Sequence, residues 1–182
     1  MLRRLFTRSR FDERAHDLYD AVVGQARRPA FYAKLGVPDS LDGRFELVLL
    51  HALLAMRRLR RCGAEGELRA QQLFDLMFAD FDGALRQLGV GDLKVGPRIR
   101  KMAQAFYGRA RAYSEAIDAG GGETLARNLR RNLYGTLDPS EGVAAAMAAY
   151  VMDQERHLGA LDDADLLAGR VSFRAPPDGT LP

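Results

Sequence analysis

Residues 72–113 contain two consecutive runs of large apolar side chains at helical spacing, and no other pattern constrains the fold as strongly. In each run the apolar residues recur every three or four positions, which places them on one face of an α-helix. Two such faces joined by a short glycine-rich turn can bury against each other, so the pattern predicts an αα-hairpin. The first arm contributes Phe74, Met77, Phe78, Phe81, Leu85 and Leu88, and the second contributes Ile99, Met102, Ala103, Phe106, Ala110, Tyr113 and Ile117.

The turn between the arms, GVGDLKVGP, carries three signals of helix boundaries. Gly89 suits the left-handed position just beyond a helix end. Asp92 can accept hydrogen bonds from the unpaired amides of the next helix. Pro97 is tolerated in a first helical turn but not in a helix interior, so we expect the second arm to begin close to it.

The rest of the chain also shows helical periodicity, and no strand-like alternation persists in it. The sequence therefore predicts an all-α, single-domain irregular bundle of six or seven helices. The segment 143–152, VAAAMAAYVM, is apolar nearly all round, and we expect it at the bundle centre. We expect a basic N-terminal arm over residues 1–10, a helical domain over 11–170, and a flexible C-terminal tail over 171–182, where adjacent prolines and a lack of periodicity leave little to bury.

Length and composition exclude several classes of protein. With 182 residues and 47% hydrophobic content, the chain can bury one substantial core. The single cysteine, Cys62, excludes an internal disulfide and any multi-cysteine metal site built by one chain, which fits a reducing compartment. No apolar run reaches the roughly 20 residues that a membrane-spanning helix needs.

Basic charge is concentrated in two parts of the chain. Residues 1–14 contain five arginines, and residues 94–131 contain nine lysines and arginines against three acids. The first group fits a solvated arm, an organelle presequence or a membrane-surface anchor. The arginines of the segment 57–61 fit a helix C-terminus or a nucleic-acid contact, and the excess of arginine over lysine also follows from a GC-rich genome. A ribosome- or RNA-binding helical module therefore remains an alternative function.

No catalytic, metal or cofactor motif is present in the sequence. His16, His51 and His157 lie on three separate predicted helices, and none forms a metal-binding motif with neighbouring carboxylates. The acids of the segment 75–82 have a spacing that points them to different sides of a helix, so ion-paired or solvated carboxylates are expected. The glycine string of the turn lacks the preceding strand that a nucleotide-binding loop requires. We expect no enzyme activity, no cofactor and no small-molecule substrate.

The second arm of the hairpin carries the best candidate for a partner-binding surface. Gly108 lies on the face opposite the apolar stripe, and a glycine inside a helix costs about 1 kcal/mol relative to alanine. It suggests a close approach to the backbone, made by another helix of this chain or by a partner helix or RNA. The predicted contact residues are Arg98, Lys101, Tyr107, Gly108, Arg109 and Arg111, with Phe31 and Tyr32 as additional candidates.

The run LRQLGVGDLKVGPRIRKMAQAFYGRARAY, preceded by LFDLMFADFDGA, resembles the ubiquinol-cytochrome c chaperone family. The pattern GVGDLxVGxxxxKMAxAFYGR carries most of the likeness, and LYDAVVGQARRPAFYAKLGVPDSLDGRFELVLLHALLAMRRL resembles the opening of that family. The resemblance covers about residues 14–161. It is a likeness to the bacterial and mitochondrial relatives of the cytochrome b assembly factor for respiratory complex III.

The resemblance implies a non-catalytic chaperone that binds newly made cytochrome b and assists biogenesis of the cytochrome bc1 complex. Mitochondrial members of the family work with a small helical partner and bind near the ribosomal exit tunnel, so both are implied as partners. The implied location is the bacterial cytoplasm, with peripheral contact at the inner membrane left open, or the mitochondrial matrix in a eukaryote.

Overall fold

The fold was established from a computed structural model that describes residues 11–135, 137 and 139–177. Across these residues the backbone forms six helices of twelve residues or more and two of five residues, and it contains no β-strand. The predicted all-α bundle is confirmed. The predicted basic arm at 1–10 lies outside the described residues. In chain order the helices are α1 (Glu13–Ala26), α2 (Pro29–Ala33), α3 (Leu41–Leu59), α4 (Gly63–Gln87), α5 (Asp92–Asp118), α6 (Gly122–Leu133), α7 (Glu141–Gly159) and α8 (Asp163–Leu167).

Helix α3 is the centre of the bundle. Fourteen of its nineteen residues are buried, and it contacts α1, α4, α6 and α7. The helix begins after Ser40, whose hydroxyl accepts a hydrogen bond from the Gly43 amide at 3.1 Å. The expectation that 143–152 occupies the centre is wrong, because the corresponding part of α7 leaves Ala145 and Ala149 exposed. A helix that is apolar on all sides is able to lie inside a bundle, but its sequence does not show that other helices surround it.

Helices α4 and α5 form the predicted hairpin and pack against each other. Gly89 has a φ of 80°, and the Val90 amide donates to the Leu85 carbonyl at 3.1 Å, as in the common glycine-terminated helix end. The predicted start of the second arm is wrong, since α5 begins at Asp92 and contains Pro97 inside its second turn. Proline removes the amide that would bond to the Leu93 carbonyl, at a position where Leu93 is open to solvent.

The arginines that end α3 are held by acids of other helices. Arg57 pairs with Asp118 of α5 at 2.7 Å and with Glu155 of α7 at 3.4 Å. Arg58 is buried, donates to the Leu158 carbonyl at 2.9 Å and also pairs with an aspartate of α8. These contacts connect the end of the central helix to three others, which favours a structural role for this cluster over a nucleic-acid contact.

The segment 171–177, which follows the last helix, has no regular secondary structure, and its Val171 and Phe173 side chains pack against the core. Phe173 packs edge-on against the His51 ring with centroids 5.4 Å apart. The Arg174 amide donates to the Gln154 side chain at 3.0 Å, and its carbonyl accepts from Gln25 at 2.6 Å. These contacts with α1, α3 and α7 were not predicted, because isolated side chains and backbone groups form them without any periodic pattern. Residues 178–182 of the predicted tail lie outside the described residues.

Candidate partner-binding surfaces

The outward side of α5 is open around Gly108. Apart from its two chain neighbours and the nearby backbone of α5 itself, no atom of the described residues lies within 4 Å of the point that a Cβ at this glycine would occupy. A helix of the same chain was one of the two explanations for Gly108, and the described part of the chain supplies no such helix. The local cost of a helical glycine is therefore not offset by close packing within the described bundle.

Tyr107 is the exposed aromatic residue of this outward side. The residue is 61% exposed, and its ring lies over Phe74 of α4, with centroids 5.6 Å apart and planes tilted by 33°. The Phe106 ring is edge-on to both rings, and the Phe78 ring packs against that of Phe74 with centroids 4.7 Å apart. Aromatic contacts of this geometry stabilise their members beyond simple burial. They hold the exposed ring at a defined position.

Arg109 does not belong to the outward surface. Its guanidinium donates a hydrogen bond to the Glu46 carboxylate of α3 at 2.7 Å, makes a second ion-pair contact with it at 2.6 Å, and also donates to the Ala105 carbonyl at 3.2 Å. The Glu46 side chain is 8% exposed and that of Arg109 is 22% exposed. Burial raises the pKa of the Glu46 carboxyl to about 7, while the neighbouring guanidinium acts to lower it. Arg109 therefore has a structural role that its sequence position did not reveal.

The other predicted basic residues of α5 are exposed. Arg111 pairs with Glu115 one turn later at 3.3 Å. Arg98 and Lys101 have no ion-pair partner among the described residues. Together with Tyr107 and Gly108, these residues form a surface that we call the outer face of α5: Arg98, Lys101, Tyr107, Gly108 and Arg111.

The two candidates from α2 are not placed on this face. Phe31 is fully buried, where its ring meets His51 of α3 and Tyr150 of α7 at centroid distances of 5.3 Å. Tyr32 is half-buried, and its hydroxyl donates to the Ala26 carbonyl at 3.0 Å. Phe31 has no surface to offer a partner, so its assignment as a contact residue is wrong for this conformation. The short helix that carries it places its ring in the core.

A groove of about 610 Å³ lies between α6 and α7, and no sequence pattern predicted it. Its floor is formed by small side chains of α7, and its length spans about two helical turns, since the eight steps from residue 144 to residue 152 rise about 12 Å. The polar residues at its rim include the pair formed by Glu123 and Arg127 at 3.2 Å. The lining residues are Gly122, Glu123, Ala126, Arg127, Arg130, Glu141, Ala144, Ala145, Ala148, Ala149 and Met152.

The turn before α6 shapes one end of this groove. Gly121 has a φ of 79°, and a Cβ at this position would lie 2.7 Å from two atoms of the Met152 side chain. Only glycine therefore allows the α5–α6 turn to approach α7 this closely without displacing Met152. The α5–α6 turn, which contains Gly120, Gly121 and Gly122, is therefore closely packed against α7 at Gly121.

Within the described residues, no three His, Cys, Asp or Glu side chains are grouped to hold a metal ion. The acids near the middle of α4 are engaged separately, and one of them, Asp80, accepts from the Tyr19 hydroxyl at 2.8 Å. His51 is buried; its Nδ1 donates to the Leu47 carbonyl at 2.7 Å and its Nε2 accepts from the Tyr150 hydroxyl at 2.8 Å. Burial lowers the pKa of His51 to about 4, which keeps the ring neutral.

None of the described helices combines the length and the apolar character that crossing a bilayer requires.

Comparison with known proteins gives consistent matches. Residues 33–173 match the family model described as "Ubiquinol-cytochrome C chaperone". The ubiquinol-cytochrome-c reductase complex assembly factor 1 of Xenopus laevis is 26% identical over 86% of this chain and 78% of its own length. The human protein of that name is 25% identical, and the chain spans about half of it, 52%.

A solved structure shares the fold. The crystal structure of the Cbp3 homolog from Brucella abortus superimposes with a TM-score of 0.82 at 36% identity. The match covers 96% of this chain and 97% of that protein. The helical architecture described above is therefore shared with a protein whose crystal structure has been solved.

Proposed function

The chain belongs to the ubiquinol-cytochrome c chaperone family, and from this premise we propose that it is a non-catalytic assembly chaperone for the cytochrome bc1 complex, respiratory complex III. We propose newly made cytochrome b as its client. The proposal is supported by the names of the curated relatives, which are complex III assembly factors. The motif that carries most of the likeness belongs to the hairpin of α4 and α5, where its residues either make structural contacts or are open to a partner.

The observation that carries the proposal is the open alanine side of α7. An apolar helix side that no described element covers is favourable only when another apolar surface contacts it. The groove beside it is about two turns long and floored by Ala144, Ala145, Ala148 and Ala149. Small side chains allow a second helix to approach closely. A membrane-protein client has apolar helices of this kind, and one of them would lie in the groove until the membrane or another subunit covers it.

The outer face of α5 is the second contact that we propose for the client. Tyr107 offers a fixed aromatic surface, and Gly108 allows a backbone to approach beside it. Arg98, Lys101 and Arg111 would meet acidic or carbonyl groups in the connecting loops of the client. Tyr32, which is half-buried, would contact the client only at the margin.

For the remaining partners, we propose that the protein acts where cytochrome b is synthesised, in the bacterial cytoplasm beside the inner membrane or in the mitochondrial matrix. We also propose a small helical protein and the ribosome, near its exit tunnel, as further partners.

The alternative function, an RNA- or ribosome-binding module, is favoured by one observation: the run from residue 93 to 114 contains six cations and no acid. It predicts ribosome co-sedimentation that weakens steeply with salt and does not depend on the groove.

The test measures assembled bc1 complex as haem b absorbance in membranes of a strain or cell line that lacks the protein. Ala149→Leu fills the exposed groove, and Gly108→Ala adds a methyl group to the outer face. We expect each variant to restore less haem b than the wild type, and crosslinks between the protein and nascent cytochrome b to fall in parallel. Both positions are exposed, so the variants should fold.

Two matched controls separate client contact from helix stability. Gly108→Ala and Gly24→Ala both place alanine at an exposed helical glycine with nothing within 4 Å, and each should stabilise the protein by about 0.5–1 kcal/mol. Ala64→Leu adds the same volume as Ala149→Leu at an exposed position of α4. Both controls should restore normal haem b. Normal bc1 complex in cells that lack the protein would refute the proposed function itself.

A further inference from the structure

The turn end of the α4–α5 hairpin combines exposed leucines with unpaired cations. Leu93 is 95% exposed and Leu88 is 62% exposed, the two largest values among the large apolar side chains that the structure describes. The four cations that follow have no ion-pair partner among the described residues. We call these residues the hairpin tip: Leu88, Leu93, Lys94, Arg98, Arg100 and Lys101.

Helix geometry places part of the tip on one side of α5. With an advance of about 100° per residue, Leu93, Pro97, Arg100 and Lys101 fall within an arc of about 100°. All four residues are exposed. A flat surface that touches this arc would meet a leucine and two cations together.

Acidic groups do little to offset this charge. No acid occurs between residues 93 and 114. Asp82 of α4 and Asp92, the first residue of α5, are both held by the Arg86 guanidinium, with the Asp82 contact at 2.6 Å. The nearby acids are thus engaged within the turn, and the cations of α5 face solvent.

We propose that the hairpin tip docks on the surface of an anionic lipid bilayer. Leu88 and Leu93 enter the headgroup region, and Lys94, Arg98, Arg100 and Lys101 meet the lipid phosphates. An RNA backbone would explain the cations but would gain nothing from exposed aliphatic side chains, since single-stranded RNA is held by stacking on aromatic rings. The inference holds whatever the identity of the client. It would bring the groove and the outer face of α5 to the membrane that receives a newly made membrane protein.

Vesicle flotation of the full-length protein tests the inference. The vesicles contain roughly 70:30 phosphatidylcholine and phosphatidylglycerol, or phosphatidylcholine alone, in low salt. The wild type should float with the anionic vesicles only. Each cation close to an anionic surface strengthens binding about fivefold, so Lys94→Gln with Lys101→Gln should weaken binding by about 25-fold. Leu93→Ser should weaken it by about tenfold and should leave the thermal melt unchanged, because this side chain contacts almost nothing in the bundle.

Matched controls identify the surface. Leu68→Ser removes another exposed leucine, and Arg127→Gln removes an exposed cation of α6; neither should alter flotation. Arg3→Gln with Arg4→Gln tests the basic N-terminal arm and should have a smaller effect than the paired lysine change. Binding that is lost only in the arm variant would overturn the inference.

Two other results would also overturn it. The first is a wild type that binds anionic vesicles no better than neutral ones. The second is tighter binding to polyuridylate than to vesicles, unchanged in Leu93→Ser, which would identify the tip as an RNA contact. Neither result bears on haem b in the assembly assay, so failure of the membrane proposal is distinguishable from failure of the proposed function.

Discussion

Arg109 offers a sharp test of which basic residues of α5 are structural. In Arg109→Met the aliphatic stem is retained and the guanidinium is lost, so Glu46 of α3 is left buried without its partner. If Arg109 were a surface contact, the change would leave folding intact and affect only partner binding. The two-point contact with Glu46 predicts the opposite outcome.

The size of the effect follows from the burial of the pair. Removing one partner of a buried ion pair typically costs about 3–5 kcal/mol of stability. The Arg109 side chain is 22% exposed, so water already screens the pair, and we expect a loss near the lower end, about 3 kcal/mol at pH 8. The loss should shrink toward pH 5, because an unpartnered Glu46 can take up a proton.

The sign of this pH dependence follows from proton binding in the two states. Without Arg109 the folded-state pKa of Glu46 lies above the wild-type value of about 7, and the unfolded chain titrates near 4.5. Between these values the folded state holds a proton that the unfolded state releases. The stability of the variant is therefore full at low pH and falls as the pH rises through this window.

Denaturant unfolding followed by circular dichroism, at pH 5 and pH 8, measures the effect. The matched control is Arg111→Met, whose side chain is 83% exposed and which should change stability by less than about 0.5 kcal/mol. Arg109→Met combined with Glu46→Leu should recover most of the loss, since no buried charge remains. Equal stability of Arg109→Met and Arg111→Met at pH 8 would refute the structural assignment.

Two further predictions concern the core and the groove. The folded-state pKa of His51 is about 4, below its unfolded value of about 6.5, so the free energy of unfolding of the wild type should fall by up to about 3 kcal/mol as the pH drops through this window. His51→Gln should reduce this dependence of stability on pH. An unchanged pH dependence in denaturant unfolding of the variant would contradict the prediction. Gly121→Ala should lower the free energy of unfolding by about 1–2 kcal/mol, because alanine disfavours the left-handed φ of this residue and its Cβ would contact Met152. Gly142→Ala, at a helical position with space for a Cβ, should not lower the free energy of unfolding.

The hairpin was predictable because its determinants are local. The apolar stripes of α4 and α5 recur at helical spacing, and Gly89 marks the helix end through its own backbone preference. The start of α5 was misplaced because Pro97 breaks a rule whose cost depends on surroundings. Pro97 lies in the second turn, and the hydrogen bond that it removes would have joined it to the carbonyl of Leu93, an exposed residue of the first turn.

The parts of the site that the sequence did not predict depend on contacts between distant elements. Arg109 and Arg111 look alike in the sequence, as two arginines of one basic helix. Only the position of Glu46, 63 residues from Arg109, shows that Arg109 is structural and Arg111 is not. Phe31 follows a proline in a short helix, and its burial depends on His51 and Tyr150 of two other helices. Periodicity within one helix contains no information about such partners.

Two features remain costly within the described bundle, and they are the basis for locating the client. Gly108 lowers the propensity of α5 with no close neighbour in the described chain, and Ala149 leaves part of an apolar helix uncovered. Local exceptions of this kind are expected where a partner completes the structure. A second helix over the alanine floor and a close backbone beside Gly108 would offset both costs at once. Stability and assembly should therefore respond in opposite directions to Gly108→Ala, a result that packing within this chain alone does not predict.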